Sequence, residues 1–143
     1  MVKYLLEVIY FMEKTVLVTG SSSGLGKSII EKFASNGWNT IITYFTHEKE
    51  AIEFNNYIIN TYKCFKLDVT SEKSINELKS KVTYLDVLIN NAGISIDNDI
   101  NLKSKDEFMK VVSVNLLGTF LMSKAFGKNM FERKSGSIIN ISS

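Results

Sequence analysis

The stretch TVLVTGSSSGLG, residues 15–26, decides the fold. Its first five residues, Thr15 to Thr19, are β-branched or apolar and read as a buried strand. The next seven hold Gly20, Gly24 and Gly26 among three serines. From Leu25 the pattern turns helical, with Ile29, Ile30 and Phe33 on one face and a stop at Asn36-Gly37. A strand that turns through glycines straight into a helix is where an α/β sheet holds phosphate. Backbone N–H groups unshielded by Cβ atoms approach the anion, and the helix start adds its unpaired N–H groups and positive dipole end. Any tight strand-to-helix turn also favours glycine, so a purely structural use of the loop stays open at this level.

Outward from that stretch the chain alternates regularly. Short β-rich runs recur at Thr40 to Tyr44, Lys63 to Leu67, Asp86 to Asn90 and Ser137 to Ile141. Helical patterns lie between them at Glu48 to Asn60, Glu72 to Val82 and Lys105 to Arg133, with Thr70 or Ser71 placed to cap the second of these. Such alternation predicts right-handed crossover units and an α/β fold, a doubly wound parallel sheet covered by helices. The long pattern from Lys105 is apolar on more than one side, through Phe108, Leu116, Leu117, Phe120 and Phe126. Either both faces are buried inside the domain or the second meets another subunit.

Composition narrows the class. In 143 residues, 45% are hydrophobic, so the chain can bury a core, and 17 basic against 15 acidic residues leave no basic stripe for nucleic acid. One cysteine, Cys64, cannot close an internal disulfide, and with the single histidine, His47, it builds no clustered metal site. No metal is expected, and the cysteine usage fits a reducing, cytoplasmic setting. No run reaches the roughly 18 apolar residues of a membrane helix. Residues 1–12 read as an N-terminal extension ahead of a dinucleotide-binding domain at 13–143, because Glu7 interrupts the apolar opening and no small-residue cleavage site follows.

Two phosphate chemistries compete for the glycine loop. Gly26-Lys27-Ser28 looks like the end of the nucleotide triphosphatase motif GxxxxGK[ST], but that register requires glycine at position 21, which is Ser21. The acid of the fourth strand, Asp86, also stands at its start rather than at the carboxyl end. Lys27 then reads as a solvated residue of the first helical turn.

The spacing TGxxxGxG resembles the short-chain dehydrogenase/reductase family, and further motifs follow in that family's order: Asp68-Val69 after the third strand, NNAG at Asn90 to Gly93, Asn115 within VNLLG, and GSIINISS from Gly136 to Ser143. NAGIS followed by Asp97 further resembles its 3-oxoacyl-[acyl-carrier-protein] reductase subgroup. The resemblance implies a Rossmann-type fold and a nicotinamide cofactor held by Thr19, Gly20, Ser22, Ser23, Gly24, Leu25, Gly26, Tyr44, Asp68, Val69, Asn91, Ala92 and Gly93. It implies catalytic roles for Ser143, with Ser142 as runner-up, and for Asn115, an amide that needs partners if buried mid-helix. Plainer uses remain: Asp68 as a turn former, Asn90 and Asn91 as partners for strand-end backbone, and Cys64 as a packing residue.

An acid at the end of the second strand would bind the adenosine ribose and repel a 2′-phosphate. Tyr44 stands there, so NADP is expected, with NAD possible. Phe45 follows where NADP-preferring relatives carry arginine, so positive charge would come from His47 or Lys49. The implied partners are a small-molecule or acyl-carrier substrate and, for a full-length form, a homo-oligomer, dimer or tetramer.

The same resemblance implies a catalytic tyrosine and lysine spaced YxxxK beyond the serine. All six tyrosines precede the fifth strand, and the two YxxxK spacings present, Tyr10 with Lys14 and Tyr62 with Lys66, fall before the first strand and along the third. The chain therefore reads as the amino-terminal portion of such a reductase, with the C-terminal part of the fold missing and without turnover of its own.

Overall fold

A computed structural model describes residues 14–59 and 61–142. The expected extension at 1–12, Tyr10 and Ser143 lie outside the described residues. Five strands, β1 (Thr15–Val18), β2 (Asn39–Tyr44), β3 (Thr61–Lys66), β4 (Val87–Asn90) and β5 (Ser137–Asn140), form one sheet in the order β3-β2-β1-β4-β5. All four pairings are parallel. The connections are α1 (Gly24–Ser35), α2 (Glu48–Tyr57), α3 (Glu72–Lys81), and a long run made of α4 (Lys105–Val112), a π-helical stretch at Ser113–Gly118, and α5 (Thr119–Glu132).

Alternation within the strands divides the core. Val16 and Val18 of β1 and Ile42 of β2 pack with Ile30 of α1 and Phe54 of α2 on one face. Leu17, Ile41 and Leu88 pack with Ile75 and Leu78 of α3 and Met122 and Phe126 of α5 on the other. A buried two-sided strand must be apolar throughout, which is why TVLV and VLIN read as continuous runs. Successive strands step outward from β1 to β3, after which the chain returns to place β4 on the other side of β1. The loops leaving β1 and β4 therefore diverge at their carboxyl ends and open a crevice between them.

One expectation shifts: the second helix stops at Tyr57 rather than Asn60, because Ile58 turns to extended backbone. Of the two uses read for the second apolar face of the long helix, burial within the domain is not seen among the described residues: Phe108, Leu116, Phe120 and Phe131 are all exposed. So is the whole of β5, Ile138 and Ile139 included, which leaves it an open edge of the sheet. Among the described residues no helix is long and apolar enough to cross a membrane.

Candidate functional site

The loop after β1 is held by groups that lie far from it in sequence. Ser21 is fully buried; its hydroxyl donates to the Val18 carbonyl (2.8 Å) and accepts from the Thr43 amide (3.0 Å). Thr43 answers, accepting from the Gly20 amide (3.1 Å) and donating to the Val18 carbonyl (3.1 Å). On the opposite side Thr19 Oγ1 accepts from the amides of Asn91 and Ala92, both at 2.9 Å. The Asn91 side chain donates to the Thr19 and Gly20 carbonyls (2.9 and 3.2 Å). The loop is thus clamped to β2 and to the end of β4, and each net hydrogen bond is worth about 1 kcal/mol.

That clamp dictates two of the glycines. Gly20 has φ +63° and lies against the Ala92 backbone, where a Cβ would sit 3.1 Å from Cα. At Gly26 a Cβ would come within 2.6 Å of Asn91 Nδ2 and 2.8 Å of the Gly20 carbonyl oxygen. Only a residue without a side chain lets α1 start this close to the loop.

The start of α1 is left open to an anion. Its N-cap, Ser23, makes no side-chain cap bond, and no acidic residue lies in its first turn. Two other helices cap their own starts: Ser71 caps α3, and at α4 Ser104 and Glu107 form a reciprocal capping box with Asp106 beside it; α2, which also lacks a side-chain cap, carries Glu48 and Glu50 in its first turn. Free N–H groups and an uncompensated dipole end make α1 the anion-ready terminus.

Above this point lies a cleft of about 700 Å³. Of the expected cofactor residues, it is lined by Gly20, Ser22, Ser23, Tyr44, Asp68, Val69, Asn91, Ala92 and Gly93. Thr19 and Gly26 lie beneath it and shape the loop. Leu25 is exposed at the helix start, and Gly24 takes φ +55° there. Leu67 and Thr70 join them, and Phe45, Thr46, His47, Ile94, Lys110, Ser113 and Val114 complete the wall. Of the latter, sequence reading singled out only Phe45 and His47. Asp68 Oδ1 accepts from the amide and hydroxyl of Thr70 (2.9 and 2.7 Å), so it forms a turn as well as facing the cleft.

Tyr44 is buried and donates its hydroxyl to Glu48 Oε1 at 2.8 Å. That hydrogen bond, then burial, pushes its phenol up to about 12. A phenol held protonated this firmly is a poor general acid or base near neutrality.

Asn115 differs from expectation. It is exposed rather than buried, and it finds both partners on one residue: Nδ2 donates to the Ile94 carbonyl (3.0 Å) and Oδ1 accepts from the Ile94 amide (2.9 Å). It sits inside the π-helical stretch, and its amide oxygen lies 3.5 Å from where a Cβ on Gly93 would be. Asn90, buried, donates to Ser123 Oγ (3.0 Å) and Asn140 Oδ1 (2.8 Å) and so ties β4 to α5 and β5. Ser142 is exposed just beyond β5. Cys64 packs against the β2 core, and burial pushes its thiol up to about 11.

The triphosphatase reading loses its residues. Lys27 is a half-exposed residue of the first turn of α1, and its ammonium lies 4.8 Å from the centre of the Phe54 ring. Asp86 accepts from the Thr15 amide (2.8 Å) at the opposite end of the sheet.

Residues 14–143 match the short chain dehydrogenase family. The chain is 36% identical over 134 residues to the 3-oxoacyl-[acyl-carrier-protein] reductase FabG of Haemophilus influenzae, covering 91% of this chain and 55% of that one. It is 38% identical over 138 residues to FabG of Aquifex aeolicus, with 91% and 55% covered. Among solved structures, ElxO with NADP bound superposes with a TM-score of 0.80 at 36% identity, covering 92% of this chain and 56% of that one. A short chain dehydrogenase/reductase family protein gives 0.84 at 28% identity, covering 90% and 55%. The chain spans about half the length of the curated relatives it matches.

Proposed function

The chain belongs to the short chain dehydrogenase family, and from that premise we propose that its crevice binds NADP as the cofactor-holding part of an oxidoreductase. The open start of α1, uncapped and free of acid beside a clamped glycine loop, carries this reading. The residues present fit a dinucleotide. Backbone N–H groups of Ser22 to Leu25 would hold the pyrophosphate, Tyr44 and its neighbours the adenosine ribose, and Asp68 and Val69 the adenine. Ala92 and Gly93 would flank the nicotinamide half. Bound there, the cofactor supplies or accepts hydride at a carbonyl or alcohol carbon. Asn115, fixed to the Ile94 backbone, would position groups near the reacting end, and Ser143 would bond the substrate oxygen.

NADP is preferred over NAD because Tyr44, not an acid, ends β2, and because ElxO, a neighbour at 36% identity, carries NADP. The FabG relatives, 3-oxoacyl-[acyl-carrier-protein] reductases, support a 3-oxoacyl group on an acyl carrier protein as substrate, and the lone cysteine supports a reducing, cytoplasmic setting. The exposed apolar face of Leu116 and Phe120 supports homo-oligomer formation by the whole protein, as a dimer or tetramer.

A second reading, a dinucleotide-binding domain without turnover, is favoured by one observation. Tyr44, the tyrosine lining the cleft, is held protonated by Glu48. Tyr62 and Lys66 lie along β3, roughly 13 Å apart as extended residues do. We therefore read the 143-residue chain as binding NADPH without oxidising it.

Calorimetric titration of NADPH, NADH and magnesium-ATP into the 143-residue chain tests this. Tighter NADPH binding, independent of magnesium and unchanged by Lys27→Ala, is expected. Equal or tighter NADH binding overturns the cofactor preference, and magnesium-dependent ATP binding lost in Lys27→Ala overturns the dinucleotide. Oxidation of NADPH by a 3-oxoacyl thioester with this chain alone overturns the non-catalytic reading.

A further inference from the structure

We propose that β5 is a self-pairing edge: two copies of this 143-residue chain join antiparallel through it, about a two-fold axis at Asn140, into one continuous sheet. The flank of α5 beside β5 completes the contact. The open edge carries this inference independently of the cofactor reading.

The two edges of the sheet are built differently. β3 forms one, with exposed Lys63 and Lys66 along it. Lysines on an edge discourage a second strand, because pairing would crowd or desolvate their charge. β5 forms the other edge, and from Ser135 to Ser143 the chain has no charged residue and no proline. Arg133, just before that run, is turned back onto its own chain, 4.2 Å from the centre of the Tyr84 ring. Ile138, Ile139 and Ile141 are 38%, 44% and 41% exposed. An uncharged, β-branched run on an open edge is a template for another strand.

Backbone direction fixes the register. The amides of Ser137 and Ile141 donate to the carbonyls of Asp86 and Asn90, just before and at the end of β4 (2.8 and 2.9 Å). By the period of two, the backbone groups of Ile138, Asn140 and Ser142 therefore point outward. Two antiparallel copies satisfy them when Asn140 meets Asn140 of the second copy and Ile138 meets its Ser142. Ile139 of each copy then faces Ile141 of the other as a close, non-hydrogen-bonded pair, which buries the apolar surface both leave open. On the α5 side Asn140 Oδ1 accepts from Asn90 Nδ2 (2.8 Å), leaving the Asn140 Nδ2 group for its mate across the axis.

The same axis brings the helices together. Asn90 Nδ2 also donates to Ser123 Oγ (3.0 Å), and a Cβ on Gly127 would meet Ile138 Cδ1 at 3.3 Å. Ser123 is thus level with Asn140, and Gly127 with Ile138. A helix so placed lies about 10 Å from its two-fold mate, a spacing at which helices pack. Exposed Phe120 of one copy then faces Gly127 of the other, where no side chain obstructs the ring, and exposed Phe131 faces Leu116. Edge and helix flank together bury about 1,200 Å², the low end of specific interfaces, so the pair should be micromolar. Lys124, near the axis, lies 6.0 Å from its own Phe120 ring, and two such like charges make the pair tighten as salt rises.

Sedimentation velocity of the 143-residue chain from about 5 to about 200 µM reads the assembly. A reversible dimer is expected, weakened at least about tenfold by Ile139→Lys, which gives β5 the kind of residue that β3 carries. Lys63→Ser, on the other edge, should leave it unchanged, and circular dichroism checks that both variants fold. Cysteine pairs read the register whatever Ile139→Lys does to folding. In a Cys64→Ser background, oxidising a mixture of Ile139→Cys and Ile141→Cys chains should join unlike copies, because such pairs stand about 4.5 Å apart at Cα. Ile139→Cys alone should cross-link far less. A monomer throughout, a folded Ile139→Lys variant that dimerises like the wild type, open-ended growth, or equal cross-linking by Ile139→Cys alone overturns the proposal. Each of these outcomes leaves the cofactor reading to stand or fall by NADPH binding.

Discussion

The starts of α1 and α4 show what a helix end can be built for. Both begin after a serine in extended backbone, Ser23 and Ser104. At α4 the serine accepts from the Glu107 amide (3.1 Å), Glu107 accepts from the Ser104 amide (2.8 Å), and the first turn carries two acids. At α1 none of this is present, and a glycine presses the helix onto the loop instead. One end is stabilised within the chain. The other forgoes about 1 kcal/mol of capping and stays available to a ligand.

Breaking α1's close approach should have the largest effect. Gly26→Val puts a branched side chain into Asn91 and the Gly20 carbonyl. It should destabilise the chain by about 3 kcal/mol and cut NADPH affinity by more than about a hundredfold, as read by thermal unfolding and fluorescence titration. Ser23→Asp makes α1 resemble α4. Stability should rise by about 0.5–1 kcal/mol through capping, while the added carboxylate lowers NADPH affinity about tenfold. Those two readouts moving in opposite directions sharpen the comparison; a parallel change breaks it.

Ser104→Ala is the converse. It should cost about 1 kcal/mol of stability and leave NADPH affinity unchanged. The smallest effect is a pH dependence at the same cap. Hydrogen bonds from the Ser104 amide and hydroxyl hold the Glu107 carboxyl below its ordinary range. Its stabilising contribution is therefore fully present above the ordinary glutamate pKa of about 4.3 and lost as pH falls through the lower folded value. Amide exchange at Lys105 to Glu107 should quicken over that acid range while exchange at Leu25 to Lys27 does not follow it.

Much of this comparison was legible in the sequence, because it rests on local chemistry. Periodicity located every strand and helix to within a few residues, and the glycines after TVLVT marked the phosphate turn. A cap at Thr70 or Ser71 was readable from their place before the third helix, and Ser71 is the one that takes it. Elements that depend on strand register were not. Ser21 entered the sequence reading only as the residue that breaks the triphosphatase register, yet parallel pairing of β1 with β2 sets Val18 beside Ile42 and so brings Thr43 within reach of it. Thr19 meets Asn91 and Ala92 only because β4 lies on β1's other side. Lys27 meets the Phe54 ring because α1 and α2 cover the same sheet face. Asn115 proved exposed, because the π-helical stretch turns it onto Ile94, and no helical periodicity announces such a stretch.

The central claim is that α1's open end receives the cofactor's pyrophosphate. Amide chemical shifts of the isotope-labelled 143-residue chain, followed as NADP⁺ is added, test it most directly. Saturable shifts at Ser22 to Leu25, accompanied by Asp68 and Val69 and absent from Lys105 to Glu107, are the expected result. Shifts confined to α4, or none at the glycine loop at saturating NADP⁺, contradict it.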